Sequence, residues 1–165
     1  MSDPNCHACA LVKRRDVGEA PLWDNIIRSG YWDLAHSFNS SLEGWLVLIL
    51  RRHASAVAEL EEVEALELGQ LLRAVSQALS EVTGCVKTYL AQFAEDPQHQ
   101  HVHVHVVPRA ADLPETDRGT RVFRHLGAEP PAIVAEGRMT EIAVAMRQRL
   151  AHSLARDLLH PSPGE

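Results

Sequence analysis

The clearest chemical signal in the sequence is a row of histidines, in which His101, His103 and His105 alternate with valines. In a β-strand, side chains at i, i+2 and i+4 point to the same face. The spacing therefore predicts three imidazoles side by side, roughly 7 Å apart, with the valines packed into the core. A neutral imidazole can attack an electrophile without first losing a proton, and neighbouring imidazoles can orient it. The row is suited to nucleophilic catalysis.

Two other interpretations of the row stay open at this point. One is a half-exposed strand whose polar face happens to be histidine, which explains a single histidine better than three in strict alternation. The other is a metal site, because alternate histidines on a strand can converge on one ion. His99 continues the same register if the strand extends that far.

A second group of potential ligands is Cys6-His7-Ala8-Cys9, while the third cysteine, Cys85, stands alone. Three cysteines cannot build a disulfide framework. A thioredoxin-like redox pair belongs at the start of a helix that follows a strand, whereas this pair lies near the beginning of the sequence with no strand before it. The spacing of the two cysteines favours a zinc site. His7, which lies between them, is a poor ligand candidate.

The hydrophobic pattern predicts the elements that must position these residues. Short runs rich in branched and aromatic residues predict strands over 31–35, 44–50, 86–93 and 100–107. Pro108 is expected to end the last strand. A helical period over 60–82, followed by Gly84, predicts one long helix. A C-terminal amphipathic helix is predicted from Met139, Ile142, Met146, Leu150, Leu154 and Leu158. The expected fold class is α+β, an antiparallel sheet meander with one long helix packed on it and an extra C-terminal helix.

Size and charge limit the possible partners. The 165 residues suffice for one domain with a hydrophobic core and a tail. A formal net charge of -6 disfavours binding to nucleic acid, whose phosphates a binding surface must neutralise. The apolar run Trp45–Leu50 is too short to span a bilayer, and no basic segment leads into an apolar one at the N-terminus. We expect a cytoplasmic protein with neither a nucleic-acid nor a membrane partner.

The segment His101–Arg109 resembles the signature of the histidine-triad family, in which three histidines alternate with apolar residues and two apolar residues follow. Upstream, 44–53 is similar to the family's strand that ends in a basic pair and a histidine, and the predicted helix and third strand follow in the family's order. The resemblance covers residues 6–109. It implies a histidine-triad domain over 1–109 that includes the N-terminal zinc knuckle. Residues 110–165 would be a C-terminal extension with a linker and an amphipathic helix.

The family resemblance also implies an activity. Members form a sheet-and-helix dimer and act as nucleotidyl hydrolases or transferases on phosphoanhydrides and phosphoramidates. By this resemblance, His103 is the nucleophile of a covalent nucleotidyl-histidine intermediate, and His105 helps to bind phosphate oxygens. The expected partners are a small nucleotide or phosphorylated substrate and a second copy of the chain. The apolar strand Trp45–Leu50 and the apolar stripe of the long helix from Leu68 to Val82 also favour a homodimer. Their apolar surface exceeds what one small sheet needs to bury.

Zinc-containing relatives of this kind join two N-terminal cysteines to the histidine after the basic pair and to the first histidine of the triad. The matching residues here are Cys6, Cys9, His53 and His101. Four protein ligands make a closed site, so the resemblance implies structural Zn²⁺. Two alternatives stay open: His36 as the third ligand, and a metal-free form in which His101 is a hydrogen-bonded core residue.

The sequence departs from the family pattern in two places. Nucleotide-using members carry an acidic residue after the second strand that holds ribose hydroxyls, and this chain has Ala35-His36-Ser37-Phe38 there. An Asn/Gly-rich phosphate loop is replaced by 91–100, in which Gln98 and His99 are the candidate substrate or phosphate contacts. These departures motivate a second hypothesis, a catalytically weak nucleotide- or phosphate-binding regulatory module that retains the fold and zinc. A third, ranked last, is an unrelated metallohydrolase.

Overall fold

The computed structural model describes residue 3 and residues 5–159, with side chains up to residue 152. Its strands are β1 (Ile27–Arg28), β2 (Trp32–His36), β3 (Leu46–Leu50), β4 (Lys87–Ala91) and β5 (His103–Arg109). Its α-helices are α1 (His7–Asp16), α2 (Glu62–Thr83) and α3 (Glu136–Leu159). Short 3-10 helices occupy Leu22–Asp24, Val57–Glu59, Glu115–Asp117 and Gly119–His125. The predicted α+β class is confirmed, whereas α1 and the two-residue β1 were not predicted.

One antiparallel sheet contains the five strands in the order β1-β2-β3-β5-β4. The first three strands form a meander. The chain then passes through α2 to β4 at the outer edge, and β5 returns between β3 and β4. The histidine strand β5 is therefore an inner strand with neighbours on both sides, which fixes its position.

The last strand starts and ends later than the sequence pattern indicates. His101 lies before β5, and Pro108 lies within it, opposite Thr88 of β4. The backbone N–H of Val86, the residue before β4, donates to the carbonyl of Arg109. Arg109 therefore bonds towards β4, and the backbone of Pro108 faces the opposite side, towards β3. Pairing with β3 has already ended there, at Val106. The expectation that Pro108 ends the strand was wrong because its missing N–H faces an unpaired side.

The predicted long helix is confirmed as α2, which begins two residues after and ends one residue after the predicted bounds of 60–82. The backbone N–H of Glu61 donates to Oε2 of Glu64 at 2.8 Å, which caps the helix start, and Gly84 closes it with φ of +70°. Both α2 and α3 pack on the face of the sheet that carries the alternate valines Val102, Val104 and Val106. This face is the main core.

The C-terminal helix α3 belongs to the same core. Met139, Ile142, Met146 and Leu150 are buried, while the side chains of Leu154 and Leu158 lie outside the described residues. Arg147 donates two hydrogen bonds of 2.6 Å to the carbonyls of Asn25 and Ile26. The boundary at residue 109 stays a prediction, but α3 packs against α2 and also contacts β2. Among the described helices, none is long and apolar enough to cross a membrane.

The opposite face of the sheet carries the candidate site. Helix α1 packs on Ala35 of β2 and Ile49 of β3 through Cys6, Ala8, Cys9 and Val12. Cross-strand pairs put Val47 beside His105 and Ile49 beside His103 on this face. The remaining surface beside α1 is covered by the loop around 93–99 and by the 3-10 helix Gly119–His125.

Candidate functional site

Two of the three triad histidines share one face of β5, as the alternation predicts. The ring centroids of His103 and His105 are 4.9 Å apart, with the rings nearly perpendicular. His101 precedes the strand, is fully buried and turns towards α1. The row therefore divides into two histidines for a pocket and one for the cysteine pair.

The hydrogen bonds of His103 determine its tautomer. Its Nδ1 lies 2.7 Å from the backbone carbonyl oxygen of His101. A carbonyl only accepts hydrogen bonds, so Nδ1 carries the hydrogen and Nε2 keeps its lone pair. Burial lowers the pKa of His103, the hydrogen bond to His101 opposes this shift, and nearby His99 adds to it. The ring is neutral near pH 7, as a nucleophile requires.

His105 is held in the opposite tautomer by a residue that the sequence analysis treated only as part of an apolar strand. The indole Nε1–H of the fully buried Trp45 donates to Nδ1 of His105 at 3.1 Å. The hydrogen of a neutral His105 is then on Nε2. Burial lowers the pKa of His105 to about 3, and the charge of His103 contributes to this shift. His105 is a neutral hydrogen-bond donor beside His103.

Both histidines line a pocket of about 310 Å³ between the sheet, α1 and the covering loops. The same pocket is lined by His7 and His99, whose rings meet edge to face with centroids 5.0 Å apart. Gln98 is exposed and does not line this pocket; its carbonyl accepts a hydrogen bond from the backbone of His7. The roles assigned to Gln98 and His99 stay predictions.

Four further lining residues come from segments for which no function was predicted. Phe123 and Leu126 follow the triad strand, and Phe123 contacts the rings of His105 and Phe93 at centroid distances of 5.4 and 5.0 Å. Arg15 and Asp24 reach the pocket from α1 and the 3-10 helix after it. For Phe123 the sequence did offer a signal, an aromatic residue within a Pro/Gly-rich segment. Arg15 and Asp24 offered none, because a charged residue that becomes buried looks like a surface residue in the sequence.

A compact group of potential metal ligands lies behind His103. The ligand atoms of Cys6, Cys9, His53 and His101 all lie within 4.8 Å of one another. Nδ1 of His101 is 3.5 Å from Sγ of Cys6 and 3.6 Å from Sγ of Cys9, and Nδ1 of His53 is 3.4 Å from Sγ of Cys9. A tetrahedron with Zn–S of about 2.3 Å and Zn–N of about 2.0 Å has S···N edges of about 3.5 Å. The donor set and its spacing fit structural zinc.

The protonation of this group also suits a metal. Nε2 of His101 lies 2.6 Å from the carbonyl oxygen of Leu50, so Nε2 carries the hydrogen and Nδ1 presents its lone pair to the thiols. Burial and the neighbouring Cys6 raise the pKa of the Cys9 thiol, which a bound cation would offset. His101 is thus both hydrogen-bonded, as the metal-free alternative supposes, and oriented for ligation.

Two expectations about this centre need correction. The pair does lie at a helix start, because Cys6 is the N-cap of α1, although no strand precedes it among the described residues. His36 was the alternative third ligand, and this was wrong. Its Nδ1 contacts the carbonyl of Ser37 at 2.8 Å and its Nε2 accepts from the backbone N–H of Gly44 at 3.0 Å. With both nitrogens engaged by the backbone, His36 has none for a metal.

The His53 ligand is positioned by an ion pair. Arg52, next to it, donates to both carboxylate oxygens of Glu64, from Nε at 2.6 Å and from Nη2 at 2.7 Å. Glu64 is nearly fully buried in the first turn of α2. This bidentate ion pair holds the turn after β3 against α2 and so limits where His53 can lie.

Comparison with known proteins shows which fold this is. No protein-family model and no curated protein sequence matches the chain. A histidine triad protein from Bradyrhizobium japonicum has a TM-score of 0.62 at 23% identity, covering 76% of this chain and 89% of that one. A zinc-bound histidine triad family protein from Mycobacterium smegmatis has 0.62 at 18%, covering 92% and 96%. Plasmodium falciparum diadenosine triphosphate hydrolase has 0.57 at 15%, covering 77% and 76%.

The chain has the histidine-triad fold, which confirms the resemblance that the alternating histidines indicated. The structural neighbours include a zinc-bound protein, and the Cys6, Cys9, His53 and His101 cluster fits a structural zinc centre.

Proposed function

We propose that this protein is a nucleotidyl hydrolase or transferase that acts on a phosphoanhydride or phosphoramidate through a covalent His103 intermediate. The observation that carries the proposal is the hydrogen bond of 2.7 Å from Nδ1 of His103 to the His101 carbonyl. It leaves the Nε2 lone pair of a pocket-lining histidine free to attack phosphorus. A hydrolase among the proteins of this fold supports the reaction class.

The proposed first step transfers the nucleotidyl group to the protein. Nε2 of His103 attacks the phosphorus, a P–N bond forms, and the bond to the leaving oxygen or nitrogen breaks. The leaving group keeps the electron pair and takes a proton from solvent. The adduct places a positive charge on the ring, and the Nδ1–H that faces the His101 carbonyl stabilises it. The Nε2–H of His105 would donate to a phosphoryl oxygen, where charge develops.

The second step restores the histidine. Water or another acceptor attacks the phosphorus, the P–N bond breaks, and the incoming group loses its proton to solvent. Structural zinc, held by the two cysteines with His53 and His101, would tie α1 to the start of β5 and so keep the His101 carbonyl in place. The chemistry itself needs only His103, its hydrogen-bonding neighbours and the pocket.

The alternative is a regulatory module that binds a nucleotide or phosphate and turns it over weakly. It is supported by the pocket loop, where Glu95 and Asp96 place two acids near the expected phosphate, and by Ser37 in place of the expected acid. Oδ1 of Asp96 lies 3.5 Å from Nδ1 of His99, so the acid and the imidazole are neighbours in this loop. Turnover on a panel of nucleoside phosphoramidates and dinucleoside polyphosphates separates the two functions, because the module would bind without turnover.

The proposed partners are a small nucleotide or phosphorylated substrate and a second copy of the chain, with the protein in the cytoplasm. The apolar surface that favoured a dimer is not available for one, because Trp45 and the apolar stripe of α2 pack within one chain. The exposed apolar side chains Val86 and Leu90 instead lie on or beside the edge strand β4. Light scattering at micromolar concentration tests the dimer, and a species of only 18.3 kDa would contradict it.

Trapping the intermediate tests the proposed function directly. Wild-type protein mixed with an active phosphoramidate or phosphoanhydride, then quenched in mild alkali, should carry a base-stable, acid-labile nucleotidyl group on the peptide that contains His103. The variant His152→Ala is the control, because it removes an exposed imidazole of α3 that does not line the pocket, and its adduct should remain. A wild type that turns over substrate with no adduct at any time point would exclude the covalent route.

A further inference from the structure

Asp24 places a buried carboxylate in the wall of the pocket, away from the histidines. It ends the 3-10 helix Leu22–Asp24, is 3% exposed and lines the pocket together with Arg15. The guanidinium of Arg15 holds it with two hydrogen bonds of 2.6 Å, from Nε to the backbone carbonyl of Asp24 and from Nη2 to Oδ1. The carboxylate is therefore fixed in position by one of its two oxygens.

The other oxygen has no such bond. Oδ2 of Asp24 is buried without a hydrogen-bond partner in the described part of the chain, and so is Nη1 of Arg15, which lies 3.5 Å from Asp33. A buried acceptor without a donor destabilises the protein, and a charged acceptor does so more. The pair thus offers an acceptor beside a donor to a ligand group that enters this end of the pocket.

The sheet register gives the distance from the nucleophile. His103 of β5 pairs with Ile49 of β3, which pairs with Asp33 of β2, the residue beside Arg15. Neighbouring strands lie about 4.8 Å apart, so the backbone of Asp33 lies about 10 Å across the sheet from that of His103. The Asp24–Arg15 pair lies on the Asp33 side. The two ends of the pocket can therefore hold two different parts of one ligand.

The wall between the two ends is apolar. It consists of Ala35, Val47 and Ile49 from the sheet and Ala8 and Leu11 from α1. A flat heterocycle fits such a slot between a helix and a sheet, whereas a charged group would lose its hydration there. In a nucleotide whose phosphorus lies at His103, the ribose lies between phosphate and base, so the base is the part that extends to Asp24.

We propose that Asp24 determines base specificity by accepting a hydrogen bond from an N–H group on the nucleobase of the substrate, with Arg15 positioning the carboxylate. The inference rests on the proposed function, because it takes the phosphorus to lie at His103. A site built to accept a hydrogen bond rejects an analogue that lacks the donor, since the buried acceptor is then left without its partner. The expected substrates are nucleotides with an amino or imino group on the base edge.

The direct test compares ligands on the wild-type full-length protein and needs no variant. Calorimetric titration would use the 5′-monophosphates of adenosine, guanosine, cytidine and uridine, together with purine riboside 5′-monophosphate, whose base has no N–H group. The best natural nucleotide should bind about tenfold to a hundredfold more tightly than the purine riboside compound. Equal affinities would overturn the inference and leave Asp24 as a structural ion-pair partner.

Two variants locate the effect. Asp24→Asn should reduce the affinity gap to less than about threefold, because one carboxylate oxygen is replaced by an amide that cannot accept. Asp33→Asn is the matched control: it makes the same change in the same ion-pair network without lining the pocket, so the gap should remain. A gap that Asp24→Asn leaves intact would overturn the inference.

A ligand without ribose hydroxyls separates base from sugar. If the 2′,3′-dideoxy form of the best nucleotide binds equally well to the wild type and Asp24→Asn, while the parent nucleotide distinguishes them, Asp24 contacts the sugar and the inference is wrong. Absence of binding by every nucleotide would overturn both this inference and the proposed function. Equal binding of all five monophosphates, with the His103 adduct still formed, would overturn the inference alone.

Discussion

His101 and His103 lie two residues apart and have opposite roles. His101 points Nε2 at a backbone carbonyl and Nδ1 at two thiols, whereas His103 points Nδ1 at a carbonyl and Nε2 into the pocket. In each ring the nitrogen that faces the carbonyl carries the hydrogen, so the other nitrogen keeps its lone pair. In His101 that lone pair faces the two thiols, and in His103 it is the one proposed to attack phosphorus. The backbone around a histidine, more than its position in a motif, therefore selects its chemistry.

The largest expected effect comes from removing the proposed nucleophile. His103→Ala should lower turnover of an active substrate by at least about a thousandfold, because it removes the covalent route. Zinc content and unfolding temperature should stay close to those of the wild type, since His103 is not one of the four clustered ligands. Steady-state kinetics, elemental analysis and calorimetry on the same preparation check this. Full activity in the variant would contradict the assigned roles.

Removing the metal ligands should change stability first. The wild type should hold about one zinc per chain, and Cys6→Ser combined with Cys9→Ser should lose it. A loss of about 3 kcal/mol would lower Tm by roughly 6–12 °C for a chain of this size. Elemental analysis and calorimetry measure both.

Cys85→Ser is the control for the cysteine variants, because Cys85 is also buried but lies outside the cluster. Its zinc content should equal that of the wild type. Unchanged zinc and Tm in the double variant would mean that Cys6 and Cys9 are not the ligands, and the contrast between His101 and His103 would then have another cause.

The sequence predicted the parts of this site that depend on short-range pattern. Alternation in a strand was enough for His103 and His105, and the family spacing was enough for the four clustered ligands. His101 lies on the same side of the sheet, against Cys6 and Cys9, but it precedes β5, which starts only at residue 103. Where a strand begins depends on pairing with β3 and β4, which no local pattern records.

The rest of the site depends on buried charge and long-range contacts. Helix α1 was not predicted because it buries Arg15 among its apolar residues, and a sequence pattern counts arginine as surface. Asp24 was not identified for the same reason: only its pairing with Arg15 explains its burial. Phe123 follows the segment that the resemblance covers, so its contact with His105 needed the tertiary structure.

The smallest expected effect tests whether Trp45 sets the tautomer of His105. Trp45→Phe keeps an aromatic ring beside His105 but removes the indole N–H that donates at 3.1 Å. Without it, Nδ1 of His105 can take the hydrogen, and the ring then presents a lone pair instead of a donor to the phosphoryl oxygen. We expect turnover to fall about tenfold, which corresponds to the loss of one neutral hydrogen bond in the transition state.

Trp32→Phe is the matched control, because Trp32 is equally buried and its Nε1 donates to the carbonyl of Glu64 at 3.0 Å on the α2 side of the sheet. Both variants should lose similar stability, and only Trp45→Phe should lose turnover. Equal turnover in the two variants would show that the tautomer of His105 is set by something other than Trp45.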